Sequence, residues 1–185
     1  MSKTYEFAAI VGSLRKDSLN RKMAQAIIAA ASPALAGRIV DIDMPLFNQD
    51  LEATPPASWV AFREAIRPVD AVLFVTPEYN RSMPAALKNA LDVGSRPYGH
   101  SVWTSKPAAV ISVSPGATGG FGANHHLRQS LVSLDMPTLA QPEAYIGHAG
   151  AAFDGEGKIA TEALAKLIAN FAAAFARWTA VHAGR

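Results

Sequence analysis

The chain has 185 residues, half of them apolar and 17% charged, with a formal net charge of +2 and no cysteine. Without cysteine there are no disulfides, thiolate metal sites or cysteine nucleophiles, and any redox chemistry must come from a bound cofactor. Lys and Arg are scattered rather than gathered into the basic stripe of a nucleic-acid-binding protein, and no apolar run reaches the ~20 residues that cross a bilayer.

This length predicts a single domain over residues 1–185, able to bury roughly 70% of the surface its unfolded chain exposes. Mean hydropathy is +0.11 and the pI is near 9.0, which suits a soluble protein with an anionic small ligand. Residues 1–6 lead into the first apolar run without the features of a secretory signal, so a cytoplasmic location is expected.

Residues 7–11 (FAAIV) form an uninterrupted apolar run, as in a central parallel strand covered on both faces. Leu19, Met23, Ile27 and Ala30 then recur at helical spacing, so an amphipathic helix begins near Ser18. The joining loop carries Gly12, hydroxyls at Ser13 and Ser18, the amide of Asn20 and the guanidinium of Arg15. All of these side chains hydrogen-bond phosphate, and a helix start adds unpaired N–H groups and a positive dipole end. The same residues are also satisfied if Ser18 merely caps the helix and Arg15 is solvated.

Gly37 reads as the stop of that helix, and residues 38–43 alternate like a second strand at a sheet edge. Residues 44–56 hold three prolines and read as an irregular connection, either a pocket wall or padding. Ser58 is placed to cap a short helix with Trp59, Phe62 and Ile66 on one face. Residues 70–76 (DAVLFVT) give a third strand, followed by a loop stiffened by Pro77 and Pro84 that presents Glu78, Tyr79 and Asn80. A helix with Leu87, Ala90 and Leu91 follows, and Gly94 reads as its stop.

In the polar segment 95–106, His100 and Trp103 are the candidates for side-chain recognition, and residues 107–113 form a fourth strand. Residues 114–122 contain four glycines, which implies flexibility or close backbone approach to a ligand. A helix is expected from about Ala123 to Leu134, then a fifth strand begun at 138–140, interrupted by Pro142 and resumed at 144–146. Residues 154–157 make a turn, and the last helix carries a core-facing stripe of Leu164, Leu167, Ile168, Phe171, Phe175 and Trp178. His125 and His126 look like half a metal site, but no third ligand accompanies them, so packing is expected and no metal.

Five alternations of strand and helix describe an α/β, doubly wound, five-stranded parallel sheet with helices on both faces. Ligands on such sheets bind beyond the carboxyl ends of the strands, where the strand order reverses. In the order 2-1-3-4-5, the loops after the first and third strands flank that point, and the glycine loop lies beside them.

These motifs resemble the NADPH-dependent FMN reductase family, flavodoxin-like quinone, chromate and azo-dye reductases. The resemblance rests on Gly12-Ser13-Leu14-Arg15 with Ser18 and Asn20, on Pro77-Glu78-Tyr79-Asn80 with Ser82 and residues 84–90, and on Ser114 with Gly116, Gly119 and Gly120 before residues 126–129. It implies a flavodoxin-like fold binding FMN, with NADPH or NADH as hydride donor and a small-molecule electron acceptor. It further implies that Ser13, Leu14, Arg15, Ser18 and Asn20 hold the phosphate end, that Pro77, Glu78, Tyr79 and Asn80 lie along the ring, and that Ser114, Pro115 and Gly116 close on its polar edge. A homodimer or homotetramer is implied too, with neither nucleic acid nor membrane as partner. No side-chain acid or base is nominated as catalytic, and Glu78 reads as a loop former. Arg81 stands where relatives often carry an aromatic residue, and it is either solvated or placed to attract the phosphates of NADPH.

The alternative is a flavodoxin-type electron carrier serving a protein partner. Such carriers tend to be acidic and to bind phosphate through a Thr- and Gly-rich loop, unlike this mildly basic chain with Arg15. A non-redox module on the same fold would want clustered acids or Gly-x-Gly-x-x-Gly after the first strand, and neither is present.

Overall fold

The computed structural model describes residues 3–184. Its strands are β1 (Tyr5–Val11), β2 (Leu35–Val40), β3 (Ala71–Thr76), β4 (Ala108–Val113) and β5 (Tyr145–Ile146). They form one parallel sheet in the order β2-β1-β3-β4-β5, as the sequence predicts. In its middle, Ile10 of β1 lies opposite Val40 on one side and Phe74 on the other.

Strand side chains alternate between the two faces of a pleated sheet, and here each face has its own core. Phe7, Ala9 and Val11 join α1 (Leu19–Ala31) and α5 (Glu162–His182) in one cluster, where Phe7 meets Phe175 edge to face at 5.4 Å. Ala8 and Ile10 join α2 (Ala57–Ile66), α3 (Ala85–Gly94) and α4 (Phe121–Ser133) in the other, around Trp59, Phe62 and Trp103. In α5, Ile168, Phe171 and Phe175 are buried, and Leu164, Leu167 and Trp178 pack partly buried against the same cluster.

Several local expectations are corrected. Gly37 does not stop α1, which ends at Ala31; it lies within β2, where an added Cβ would stand 2.2 Å from Cζ of Phe7. The glycine therefore makes room for a core ring. The strand sits three residues earlier than its alternation suggests because Ile42, beyond its end, is buried in the second core and prolongs the pattern. Ser58 caps nothing, since α2 begins one residue earlier, after Pro56 and without a side-chain cap.

Gly94 is the last residue of α3, but its lack of a side chain serves Trp103, whose ring would meet a Cβ there at 2.4 Å. Trp103 is fully buried, its indole N–H donating to the Leu91 carbonyl at 3.0 Å, so it belongs to the core and not to recognition. Residues 44–56 contain a single 3-10 turn, Gln49–Leu51, and run as a strap pinned to the helices beneath. The Asn89 carboxamide accepts the Phe47 N–H at 2.7 Å and donates to the Pro45 carbonyl at 3.0 Å, and Arg96 pairs with Glu52. The fifth strand is only two residues long, with Thr138 contributing an isolated bridge to Ala108. Among the described residues, no helix is long and apolar enough to cross a membrane.

Candidate functional site

The loops after β1, β3 and β4 meet at one end of the sheet. Gly12 brings the first two together: a Cβ there would stand 3.2 Å from Pro77 and from Leu87. Asn20 joins the first to the third, its amide donating to the Val113 carbonyl at 3.3 Å across 93 residues of sequence.

In the first loop, Ser13 and Ser18 are buried, whereas Leu14 and Arg15 are exposed. The Ser18 hydroxyl accepts the Arg21 N–H at 3.2 Å, so it is the N-cap of α1. A hydroxyl accepts and donates at once, which leaves its proton available to a ligand. Asn20 is buried too, and among the described residues its carbonyl oxygen has no hydrogen-bond partner.

The second loop is a tight hairpin. Tyr79 and Ser82 exchange backbone hydrogen bonds of 2.9 and 3.0 Å, and the two residues between them, Asn80 and Arg81, have φ of 50° and 64°. Two consecutive left-handed residues define a type I′ turn, for which Asn is a favoured first member. Glu78 is indeed a loop former: its carboxylate accepts the Ala123 N–H at 3.0 Å and lies 3.4 Å from the Arg81 guanidinium. Helix α4 has Gly120 as N-cap and no side-chain cap of its own, so the hairpin supplies one. A second fastening joins Ser82 to His126, Oγ to Nδ1, at 2.9 Å.

In the third loop, Ser114 Oγ accepts the Gly116 N–H at 3.2 Å, and Pro115 and Gly116 are exposed. Two of the four glycines answer to the protein's own backbone, and Gly120 to the Ser112 side chain. A Cβ on Gly119 would meet the Tyr145 carbonyl carbon at 2.6 Å, and one on Gly122 would meet the Arg81 carbonyl oxygen at 2.8 Å. Only at Gly116 is the approach ordinary, with Ser114 Oγ at 3.6 Å.

Behind this loop, Asn124 donates to Ser112 Oγ at 3.3 Å and accepts from Arg128 Nε at 2.9 Å. Burial lowers the Arg128 guanidinium from its ordinary value, and burial with a hydrogen bond to Glu143 raises the Tyr145 phenol. His125 lies 3.1 Å from the Tyr145 hydroxyl and His126 on Ser82, so the two histidines serve separate contacts. The sequence names Ser82 and His126 but not their mutual contact, and Asn124 escaped it altogether. The one available signal was a polar residue inside an apolar helical face, as at Asn124.

A family model described as NADPH-dependent FMN reductase matches residues 5–151. The chain is 58% identical over 180 residues to a quinone reductase of Pseudomonas putida, covering 96% of each. It is 41% identical over 181 residues to an NAD(P)H-dependent FMN reductase of Pseudomonas aeruginosa, covering 96% of this chain and 97% of that one. A solved flavoenzyme NAD(P)H:(acceptor) oxidoreductase from Paracoccus denitrificans superposes with a TM-score of 0.92 at 40% identity, over 97% of this chain and 100% of the other. This chain therefore belongs to the NADPH-dependent FMN reductase family and is an oxidoreductase with FMN as cofactor and NAD(P)H as reductant.

Proposed function

We propose that this single-domain chain carries reducing equivalents from NAD(P)H to a quinone, with FMN held by the loops after β1, β3 and β4. Azo compounds, chromate and free flavin are further acceptors in this reading. The observation that supports it best is the pair of buried serines, Ser13 and Ser18, with the exposed Arg15 between them at the start of α1. A phosphate there meets hydroxyl protons, a guanidinium and the N–H groups of a helix start, with charge-assisted hydrogen bonds worth roughly 1.5 to 3 kcal/mol each.

The donor set fits the phosphate end of FMN. Asn20 adds an unpartnered buried oxygen that suits a hydroxyl donor of the same ligand, while its N–H already serves Val113. Leu14 offers an exposed apolar contact, the rigid segment from Pro77 to Asn80 flanks the ring, and Ser114, Pro115 and Gly116 border its polar edge. FMN, when bound, supplies the two-electron relay between nucleotide and acceptor. The residues position it and present backbone donors to it; Glu78, committed to α4, is not needed as an acid. A homodimer or homotetramer in the cytoplasm completes the proposal, on the family resemblance.

The test is an anaerobic absorption spectrum of the FMN-loaded protein. Prompt bleaching by NADPH or NADH and recovery on adding a quinone is the expected result. Bands that persist with both nucleotides would make the protein a carrier instead.

A further inference from the structure

A cavity of about 460 Å³ opens between α3 and α4, immediately beside the hairpin, with Ser82, Met83, Lys88, His126, Gln129 and Ser130 in its wall. That volume lies within the range of small-ligand sites. Its named walls carry hydroxyls, an ammonium, an imidazole and an amide, and no carboxylate. Ser82 and His126 orient one another at 2.9 Å, while Ser130 donates to the His126 carbonyl and offers only its acceptor side. Lys88 is held by Asp92 at 2.6 and 2.8 Å, so its charge is partly offset but it keeps a donor.

Arg81, next to Ser82, contributes the most exposed charge of the hairpin, paired only at long range. Its side chain is 81% exposed, and its contact to Glu78 is a long 3.4 Å, to a carboxylate whose other oxygen serves Ala123. It also occupies a position that favours glycine. A type I′ turn that begins with Asn is best completed by Gly, yet here an arginine accepts a φ of 64°. Strain held at one exposed side chain points to a use for that side chain.

We propose that Arg81 and the adjoining cavity bind the 2′-phosphate of NADPH, so that Arg81, with His126 and Lys88 behind it, sets the preference for NADPH over NADH. The proposal rests on the reading of the chain as an NAD(P)H oxidoreductase. An exposed arginine supplies a forked, permanent cation suited to a phosphate, and the Ser82–His126 pair supplies directed donors behind it.

The test measures KM for NADPH and for NADH with FMN-loaded protein carrying Arg81→Gly, Arg81→Lys or His126→Gln. Arg81→Gly is the informative variant because it relieves the turn and folds at least as well. Its KM for NADPH should rise about tenfold while that for NADH moves less than twofold, and Arg81→Lys should recover part of the difference. Adenosine 2′,5′-bisphosphate should compete with NADPH in the unmodified protein and about tenfold more weakly in Arg81→Gly. KM values that stay constant for both nucleotides, or rise together, overturn the assignment. A change of oligomeric state on gel filtration with an unaltered NADPH-to-NADH ratio overturns it too, and gives the face to a second copy. Failure of both nucleotides to bleach the flavin of the unmodified protein would sink the functional reading itself, separately from the 2′-phosphate site.

Discussion

The carboxylate of Glu78, on the loop after β3, accepts the backbone N–H of Ala123 in the first turn of α4 at 3.0 Å. One loop of the crevice thereby caps the helix that follows another. Glu78→Ala should cost about 1–2 kcal/mol of stability in urea unfolding, the range for a lost cap or charged hydrogen bond. FMN affinity should fall with it as the hairpin loosens. Glu78→Gln keeps an acceptor and should lose less than half as much.

Arg15 and Ser18 separate ligand binding from folding. Arg15 is exposed and Ser18 caps α1. Arg15→Ala should weaken FMN binding about tenfold or more while leaving the melting temperature of the flavin-free protein unchanged. Ser18→Ala should weaken FMN and also remove about 1 kcal/mol of apoprotein stability. Fluorescence titration with FMN reads both, and unaltered affinity in the two variants would locate the phosphate elsewhere.

Gly94→Ala sets helix propensity against packing. Alanine is favoured over glycine in helices by about 1 kcal/mol, but its Cβ would lie 2.4 Å from the fully buried Trp103 ring. That ring cannot swing away without losing its bond to Leu91. Overpacking of about 1–3 kcal/mol should win, seen as a lower melting temperature with a shifted tryptophan emission.

The strap over α2 and α3 makes stability depend on pH. The Arg96 guanidinium, bonded to Glu52 at 2.6 Å, holds the Glu52 carboxyl below its usual range. A depressed carboxylate contributes stability that is present above the unfolded value and is lost as pH falls through the folded one. Glu52→Gln should therefore melt below the unmodified protein at neutral pH, and the gap should close on acidification through and below the ordinary carboxylate range. A gap independent of pH would show that the pair contributes through packing alone.

Much of this was legible in the sequence, for physical reasons. Continuous apolar runs at residues 7–11 and 71–75 mark strands buried on both faces, and alternation with helices dictates the doubly wound sheet. That logic alone places the three loops at one end of the sheet. Gly37 was misread, and the second role of Gly94 at the end of α3 was hidden, because a glycine's spelling is the same whether it ends a helix or admits a distant ring. The partners, Phe7 and Trp103, lie elsewhere in the chain. The fastenings Glu78 to Ala123 and Ser82 to His126 span 45 and 44 residues, and one of them ends on main chain, which has no letter of its own. The fifth strand blurred because it is two residues long, too short to carry a period.

The loop after β4 is braced by backbone: Gly119 sits against Tyr145, Gly122 against Arg81, and a Cβ on Gly147 would stand 2.5 Å from the Ala117 carbonyl oxygen. Its contour is thus drawn in main chain, while the side chains it displays, Pro115, Ala117 and Thr118, face solvent. Shape and chemistry are separable along this wall. Exchanging those three residues alters the chemistry the wall presents without redrawing it, whereas any side chain at the glycines beneath would shift it bodily.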